Sequence, residues 1–196
     1  KAVTFKLRQG VQFHDGTPFN AEAVAFVFNE ALAKKFLYVS LLEGLQKVVA
    51  DSEYQVSFQM SAPSAALIPN LGYRTMCIFS PTAYKAKGEE GLGSNIIGTG
   101  PFIQTEYTKG VYALFKRNDK YWQKGKPYLD SIRILFVPDV TTRLAMLESG
   151  DVDRAAGVPS FDVPRLAKDK SIAVRTIPSL QQHYVVINNL VKPLDD

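Results

Sequence analysis

Apolar and polar residues alternate at the start of the chain. Val3, Phe5 and Leu7 are separated by polar residues, and this period of two predicts a half-buried strand. Alternation returns over residues 54–60, after an apolar stretch at 45–50, and the two segments together predict a hairpin. Further strands are expected at residues 11–13, 74–79, 102–108, 111–117, 131–137, 152–153, 172–177 and 183–188.

Helical spacing of apolar residues interrupts the strand patterns. It follows Asn20, Ser80 and Asp139, three residues that favour helix N-caps. Gly150 supplies a helix stop, and residues 85–95, rich in Gly and Glu, are expected to form a surface connection. The helices are expected at residues 21–32, 63–71, from 81 onward, at 140–149 and, capped by Ser160, up to 168. Interleaved strands and helices predict a mixed α/β fold.

Composition narrows the possible functions. The 196 residues are 46% hydrophobic with a formal net charge of +4, so a folded core is expected. Because the basic residues are scattered, no nucleic-acid partner is expected. A single cysteine, Cys77, excludes a disulfide within the chain, and its apolar neighbours predict a buried, inert thiol.

Motifs for catalysis or metal binding are weak. His14 lies in a His-Asp-Gly turn and is expected to bond nearby backbone rather than a metal, because a metal site needs further ligands. Residues 98–101 (GTGP) lack the remaining parts of a phosphate-binding loop and are expected to form a turn. A hydrolase would need a nucleophile and a base, and no Gly-x-Ser-x-Gly elbow is present. We therefore expect no catalytic residue, metal or cofactor.

Arg74 is the leading candidate for ligand binding. It lies among apolar residues, and a guanidinium can hold a carboxylate through two parallel hydrogen bonds. A salt bridge to an acidic residue of the chain is an equal alternative. Phe36, Tyr38 and Tyr73 could form apolar walls for a ligand, or could belong to the core.

Several stretches resemble one protein family. They are residues 5–22 (FKLRQGVQFHDGTPFNAE), 97–102 (IGTGPF), 117–122 (RNDKYW), 138–153 (PDVTTRLAMLESGDVD) and 188–196 (NNLVKPLDD). They are similar to the extracytoplasmic solute-binding proteins, family 5, of nickel, dipeptide and oligopeptide ABC importers. The spacing from Arg74 to Pro81 resembles the nickel-receptor branch, where an arginine binds the carboxylates of a metal chelator. Phe36 falls near the position where that branch places a tryptophan against the ligand.

The resemblance implies a receptor whose two lobes close on a peptide, a nickel chelate or another small solute and then dock on an ABC permease. It implies a periplasmic-binding-protein-like type II fold, of which this chain is a partial first lobe. Residues 1–96 would form its small subdomain and residues 97–196 part of its main subdomain. The place of action would be the periplasm, or the cell exterior for a membrane-anchored lipoprotein. A hydrolase and the ligand-sensing domain of a transcription regulator are the alternatives.

Overall fold

The computed structural model describes residues 1–178 and Lys192. The chain divides into two compact units, Lys1–Phe136 and Val137–Asp196. The strands are β1 (Ala2–Lys6), β2 (Leu45–Ser52), β3 (Gln55–Met60), β4 (Phe102–Thr108), β5 (Tyr112–Arg117) and β6 (Ser131–Leu135). The helices are α1 (Ala21–Lys34), α2 (Leu67–Leu71), α3 (Pro81–Ser94), α4 (Val140–Ser149) and α5 (Val163–Leu166). The mixed α/β prediction is confirmed.

The first sheet is antiparallel with the order β1–β3–β2. The predicted hairpin is confirmed as β2 and β3, and β3 lies in the centre. Val3 and Val48 flank Phe58 across the sheet, so the alternating apolar residues share one face. Because this face is apolar, another element must pack on it to bury it from water.

Helix α1 covers this face. The Asn20 side chain accepts a hydrogen bond from the Ala23 N–H at 3.0 Å, which confirms the predicted N-cap. The Phe28 ring packs edge-on against Phe58, with centroids 5.0 Å apart. Asn29 extends the contact by bonding both backbone groups of Val48. The core of the first unit lies between α1 and β1–β3–β2.

The second sheet is antiparallel with the order β4–β5–β6. All three strands were predicted, with ends that differ by one or two residues. Gly110 has φ 75° in the turn between β4 and β5, a conformation that glycine adopts without strain. The Asn118 side chain donates to the Gly100 carbonyl at 3.1 Å, which fixes the chain entering β4.

The second unit contains α4 and α5. Asp139 caps α4 by accepting from the Thr142 N–H at 2.7 Å, and Gly150 ends the helix with φ 81°, as predicted. The Arg143 guanidinium donates to the Val137 carbonyl at 2.6 Å. Helix α5 is shorter than expected and has no side-chain cap, so the prediction of a Ser160 cap is wrong.

Three predicted strands are absent. Residues 74–79 form a 3-10 turn, Arg74–Met76, followed by unpaired extended chain. Residues 152–153 and 172–177 are not strands either. A strand needs a neighbour for its backbone groups, and apolar residues alone do not supply one. The strand predicted at 183–188 lies outside the described residues.

Two other local predictions are corrected. Residues 11–13 form only one bridge, Gln12 to Pro18, rather than a strand. The connection expected at 85–95 is helical, because α3 runs to Ser94 with a break at Gly88, where φ is 69° and ψ is −174°. Glycine at the break tolerates this geometry, so helix resumes after it. The division into subdomains at residue 96 stays a prediction.

Candidate functional site

The first unit contains a cavity of about 940 Å³. Five segments that are separated in sequence line it. They are His14 and Phe19 before α1, Phe36 and Tyr38 after α1, residues 75–79, part of α3, and the loop at 96–102. Most of its lining is apolar. A concave apolar surface with a few polar groups is the usual form of a small-molecule site.

Phe36 and Tyr38 are both in the lining. Helix α1 ends at Lys34. The next residue, Lys35, turns the chain through its left-handed conformation (φ 54°), and Phe36 follows this turn. The two rings lie 5.8 Å apart in a tilted pair. Burial, with smaller effects from Tyr84 and Glu89, raises the pKa of the Tyr38 phenol. Tyr38 therefore stays a neutral hydroxyl in the cavity wall at ordinary pH.

Arg74 and Tyr73 lie beside the cavity and are not among the residues that line it. Both side chains are exposed, and their neighbours Thr75 and Cys77 line the cavity. Within residues 1–178, no carboxylate oxygen lies within the 4.0 Å ion-pair distance of the Arg74 guanidinium. The salt bridge considered from sequence is therefore not formed with any described residue.

His14 fixes the loop that forms one wall. Its backbone N–H donates to the Gly98 carbonyl at 2.8 Å. Its ring bonds the same loop at both nitrogens, with Nδ1 3.3 Å from the Gly98 nitrogen and Nε2 3.0 Å from the Gly100 oxygen. Because Gly98 offers a donor and Gly100 an acceptor, the bonds assign a neutral ring protonated at Nε2. The prediction that His14 bonds backbone is confirmed.

Asp15 and Ser80 join this turn to the start of α3. The Ser80 Oγ donates to Asp15 Oδ2 at 2.5 Å and accepts from the Ala83 N–H at 3.1 Å. Burial alone would raise the pKa of Asp15, but hydrogen bonds from Ser80 and Thr17 outweigh it and hold that pKa below its ordinary value. The His-Asp-Gly turn thus holds two walls of the cavity in place.

Sequence reasoning missed the contribution of α3. Tyr84 and Glu89 line the cavity, and the Tyr84 hydroxyl bonds Lys34 and Glu30 at 2.5 and 3.1 Å. The glycines of residues 88–93 suggested a connection, so Glu89 was not considered. Residues 89–94 (EEGLGS) contain a single large apolar side chain, so no helical pattern of apolar residues marks this part of α3.

Cys77 corrects another prediction, because its thiol is exposed rather than buried. Its neighbour Met76 is buried, whereas Cys77 lies in the cavity wall. Its Sγ donates to the Arg74 carbonyl at 3.2 Å, and the ring nitrogens of His14 are engaged by the loop. The two residues therefore form no nucleophile–base pair.

Metal binding and membrane insertion find no support in the described part of the chain. It contains no group of three or more His, Cys, Asp or Glu side chains arranged to hold a metal ion. Among the same residues, no helix is both long and apolar enough to cross a bilayer.

An open, mainly apolar cavity on a mixed α/β scaffold defines a ligand-binding class of protein. The chain belongs to the bacterial extracellular solute-binding proteins, family 5, and all of residues 1–196 match the middle part of that family. The fold is accordingly that of a periplasmic binding protein, of which this chain is part.

Individual relatives agree with the family. The glutathione-binding protein GsiB of Shigella flexneri is 34% identical over 195 residues, which are 98% of this chain and 38% of that protein. AgaA of A. tumefaciens R10, solved with agropinic acid, is 32% identical with a TM-score of 0.80, over 87% of this chain and 35% of AgaA. NikA of Brucella suis, solved with Fe(III)-EDTA, is 28% identical with a TM-score of 0.74, over 86% of this chain and 35% of NikA.

The chain spans well under half the length of these relatives. The chain is less identical to NikA (28%) than to GsiB (34%) and AgaA (32%). Membership of the family is therefore shown, and the ligand is a separate question.

Proposed function

We propose that the chain is part of the first lobe of the substrate-binding component of an ABC importer. In this role it captures a small solute that carries a carboxylate. The observation that carries the proposal is the exposed Arg74 guanidinium, which has no ion-pair partner among residues 1–178. It lies one residue before Thr75, where the cavity lining begins.

Each candidate residue has a distinct role in this proposal. Arg74 holds the carboxylate through two parallel hydrogen bonds. Phe36 and Tyr38 supply an apolar wall for the rest of the ligand, and Tyr73, which is 51% exposed, becomes covered when the ligand is enclosed. Glutathione, agropinic acid and Fe(III)-EDTA, named for the relatives, all carry carboxyl groups, which supports this ligand class.

The whole protein acts by closure in this proposal. Residues 1–96 form the small subdomain and residues 97–196 part of the main subdomain of the first lobe. A second lobe closes over the ligand, and the closed form is recognised by a membrane permease. The protein works outside the cytoplasm, in the periplasm or as an anchored lipoprotein, and delivers a peptide, a metal chelate or a similar solute.

Two alternatives are less well supported. A hydrolase needs an activated nucleophile, whereas the Ser80 hydroxyl is fully buried and donates to Asp15 rather than to His14. A ligand-sensing domain of a transcription regulator would use the same fold. A DNA-binding helix-turn-helix in the full-length protein distinguishes the sensor from the importer component.

The first test is native mass spectrometry of the full-length protein, purified without refolding. We expect a retained adduct with the mass of a small carboxylate-bearing solute. Calorimetric titration with the identified solute then compares the wild type with Arg74→Ala. Hydrogen bonds to charged groups contribute about 1.5–3 kcal/mol, so the affinity should fall about 10- to 150-fold.

Arg133→Ala is the matched control. Arg133 lies on β6 with its guanidinium 4.7 Å from the centre of the Tyr112 ring, and it does not line the cavity. Its removal should leave affinity unchanged. Equal affinity of the Arg74→Ala variant and the wild type would contradict the role given to Arg74.

A further inference from the structure

His14 lines two separate spaces in the first unit. One is the cavity, and the other is a crevice of about 240 Å³ whose lining includes Gln12, Ile103 and Asn118. The His14 side chain is only partly buried. Its ring can therefore exchange protons with solvent while it holds the loop at residues 96–102.

Both ring bonds of His14 require a neutral imidazole. Nδ1 accepts from the Gly98 N–H at 3.3 Å, and the Nε2–H donates to the Gly100 carbonyl at 3.0 Å. A protonated imidazole carries an N–H on both nitrogens. Its Nδ1–H would face the Gly98 N–H donor to donor, whereas the bond to Gly100 would remain. Protonation therefore acts on one end of the loop.

The Gly98 N–H has no substitute acceptor. Among the described residues, Nδ1 of the ring is the one acceptor that this N–H has. The rest of the loop is held independently, because the Ser80 N–H donates to the Ile97 carbonyl at 2.9 Å and the Asn118 side chain to the Gly100 carbonyl at 3.1 Å. A partly buried amide without a partner is costly, so the loop must move until water reaches it.

No ion pair compensates a charge on the ring. Within residues 1–178, no carboxylate oxygen lies within the 4.0 Å ion-pair distance of the His14 ring nitrogens. The carboxylate of the adjacent Asp15 is engaged by Ser80 and Thr17. The other charged side chains that line the two spaces are Glu89 in the cavity and Arg117, Asp119 and Lys120 in the crevice.

The pH range of this change follows from the residue type. Histidine is the side chain that ordinarily changes charge between about pH 5 and 8. Carboxyl groups ordinarily titrate at lower pH, and the phenols and the thiol that line the cavity (Tyr38, Tyr84 and Cys77) belong to classes that titrate at higher pH. Because the neutral ring binds the loop, this stabilisation is present at high pH and is lost as pH falls.

We propose that His14 is a pH-sensitive latch on the cavity. When Nδ1 takes a proton, Gly98 is released and the loop at residues 96–102 moves out of the cavity wall. The inference rests on the proposed function, to which it adds regulation: a solute that is enclosed at neutral pH is released in acid.

Amide hydrogen exchange of the full-length protein tests the latch without a ligand. After correction for the intrinsic effect of pH on exchange, the peptide covering residues 97–102 should be protected about tenfold less at about pH 5 than at about pH 8. Strand β3 should keep its protection, which distinguishes loop release from general unfolding. His14→Gln has a polar side chain that does not ionise, so its protection at residues 97–102 should not depend on pH.

His183→Gln is the matched control, because His183 is the other histidine of the chain. This variant should keep the wild-type pH dependence of exchange. Native mass spectrometry then measures the fraction of protein that keeps its co-purified adduct. The wild type should lose the adduct at about pH 5, whereas His14→Gln should retain the same fraction at both pH values.

Equal protection of residues 97–102 at both pH values in the wild type would overturn the inference. An undiminished pH dependence in His14→Gln, or its loss in His183→Gln, would overturn it as well. The proposed function fails separately. The expected exchange pattern without an adduct at either pH would support the latch and contradict the receptor role, whereas equal adduct retention at both pH values in the wild type would support the receptor role and overturn release by the latch.

Discussion

Ser80 offers a sharp test of how the cavity walls are held. The residue is completely buried, and its Oγ donates to Asp15 and accepts from the Ala83 N–H. Ser80→Ala removes both bonds while leaving the backbone bond from Ser80 to the Ile97 carbonyl possible. The first turn of α3 then loses its cap, and the Asp15 carboxylate loses one donor.

The magnitude follows from these two bonds. Loss of a serine N-cap costs about 1 kcal/mol, and a hydrogen bond to a charged group contributes about 1.5–3 kcal/mol. Asp15 is exposed, so water replaces part of the lost interaction and the lower end applies. Because both bonds share one oxygen, their energies do not add fully. We expect α3 to be destabilised by about 1.5–2.5 kcal/mol relative to its open state.

Amide hydrogen exchange measures this quantity locally. At about 1.4 kcal/mol for each tenfold change, amides in the first turns of α3 should exchange about 10- to 60-fold faster in Ser80→Ala. Ser94→Ala is the control, because the exposed Ser94 hydroxyl bonds only the Gly91 carbonyl among described residues. Wild-type exchange in α3 of the Ser80→Ala variant would refute the reasoning.

Two further predictions concern the same unit. The folded pKa of Asp15 is depressed by bonds from Ser80 and Thr17 despite burial, so its stabilisation exists above the unfolded pKa of about 3.9 and is lost as pH falls through the folded value. The difference in urea unfolding free energy between the wild type and Asp15→Asn should therefore be constant from about pH 5 to 7 and shrink below about pH 4. A difference that stays constant from about pH 7 to below about pH 4 would contradict this prediction. Asn29 bonds the Val48 N–H and carbonyl at 2.9 and 2.8 Å. Asn29→Ala should therefore lower the free energy of unfolding by about 2–3 kcal/mol. A decrease below about 0.5 kcal/mol in urea unfolding would show that water replaces both bonds.

Helix caps were predictable because the hydrogen bonds that stabilise them join residues close in sequence. Asn20 and Ser80 cap helices through bonds to amides three residues away, so their sequence neighbours sufficed. The strand predicted at 74–79 failed for the opposite reason. Its apolar residues fit a strand, but pairing depends on a partner that no local pattern specifies, and the segment lies along the cavity instead.

The candidate site was also predictable only in part. The residue types of Phe36, Tyr38 and Arg74 identified them as candidates, and the cavity includes the two aromatics. Sequence could not predict that Arg74 lacks an ion-pair partner among described residues, because partners of a long side chain come from anywhere in the fold. Glu89 was hidden by a glycine-rich segment whose helical state depends on its packing.

The sequence by itself determined the mixed α/β class, three helix caps, most of the strands and membership of a solute-binding family. Each depends on residues close in the chain or on an ordered set of motifs. Only the tertiary structure decided that His14 bonds a loop 84 residues away and that five separate segments line one cavity. Contacts over such separations arise from packing of the whole unit, since the free energy that selects them is shared among residues that no local pattern connects.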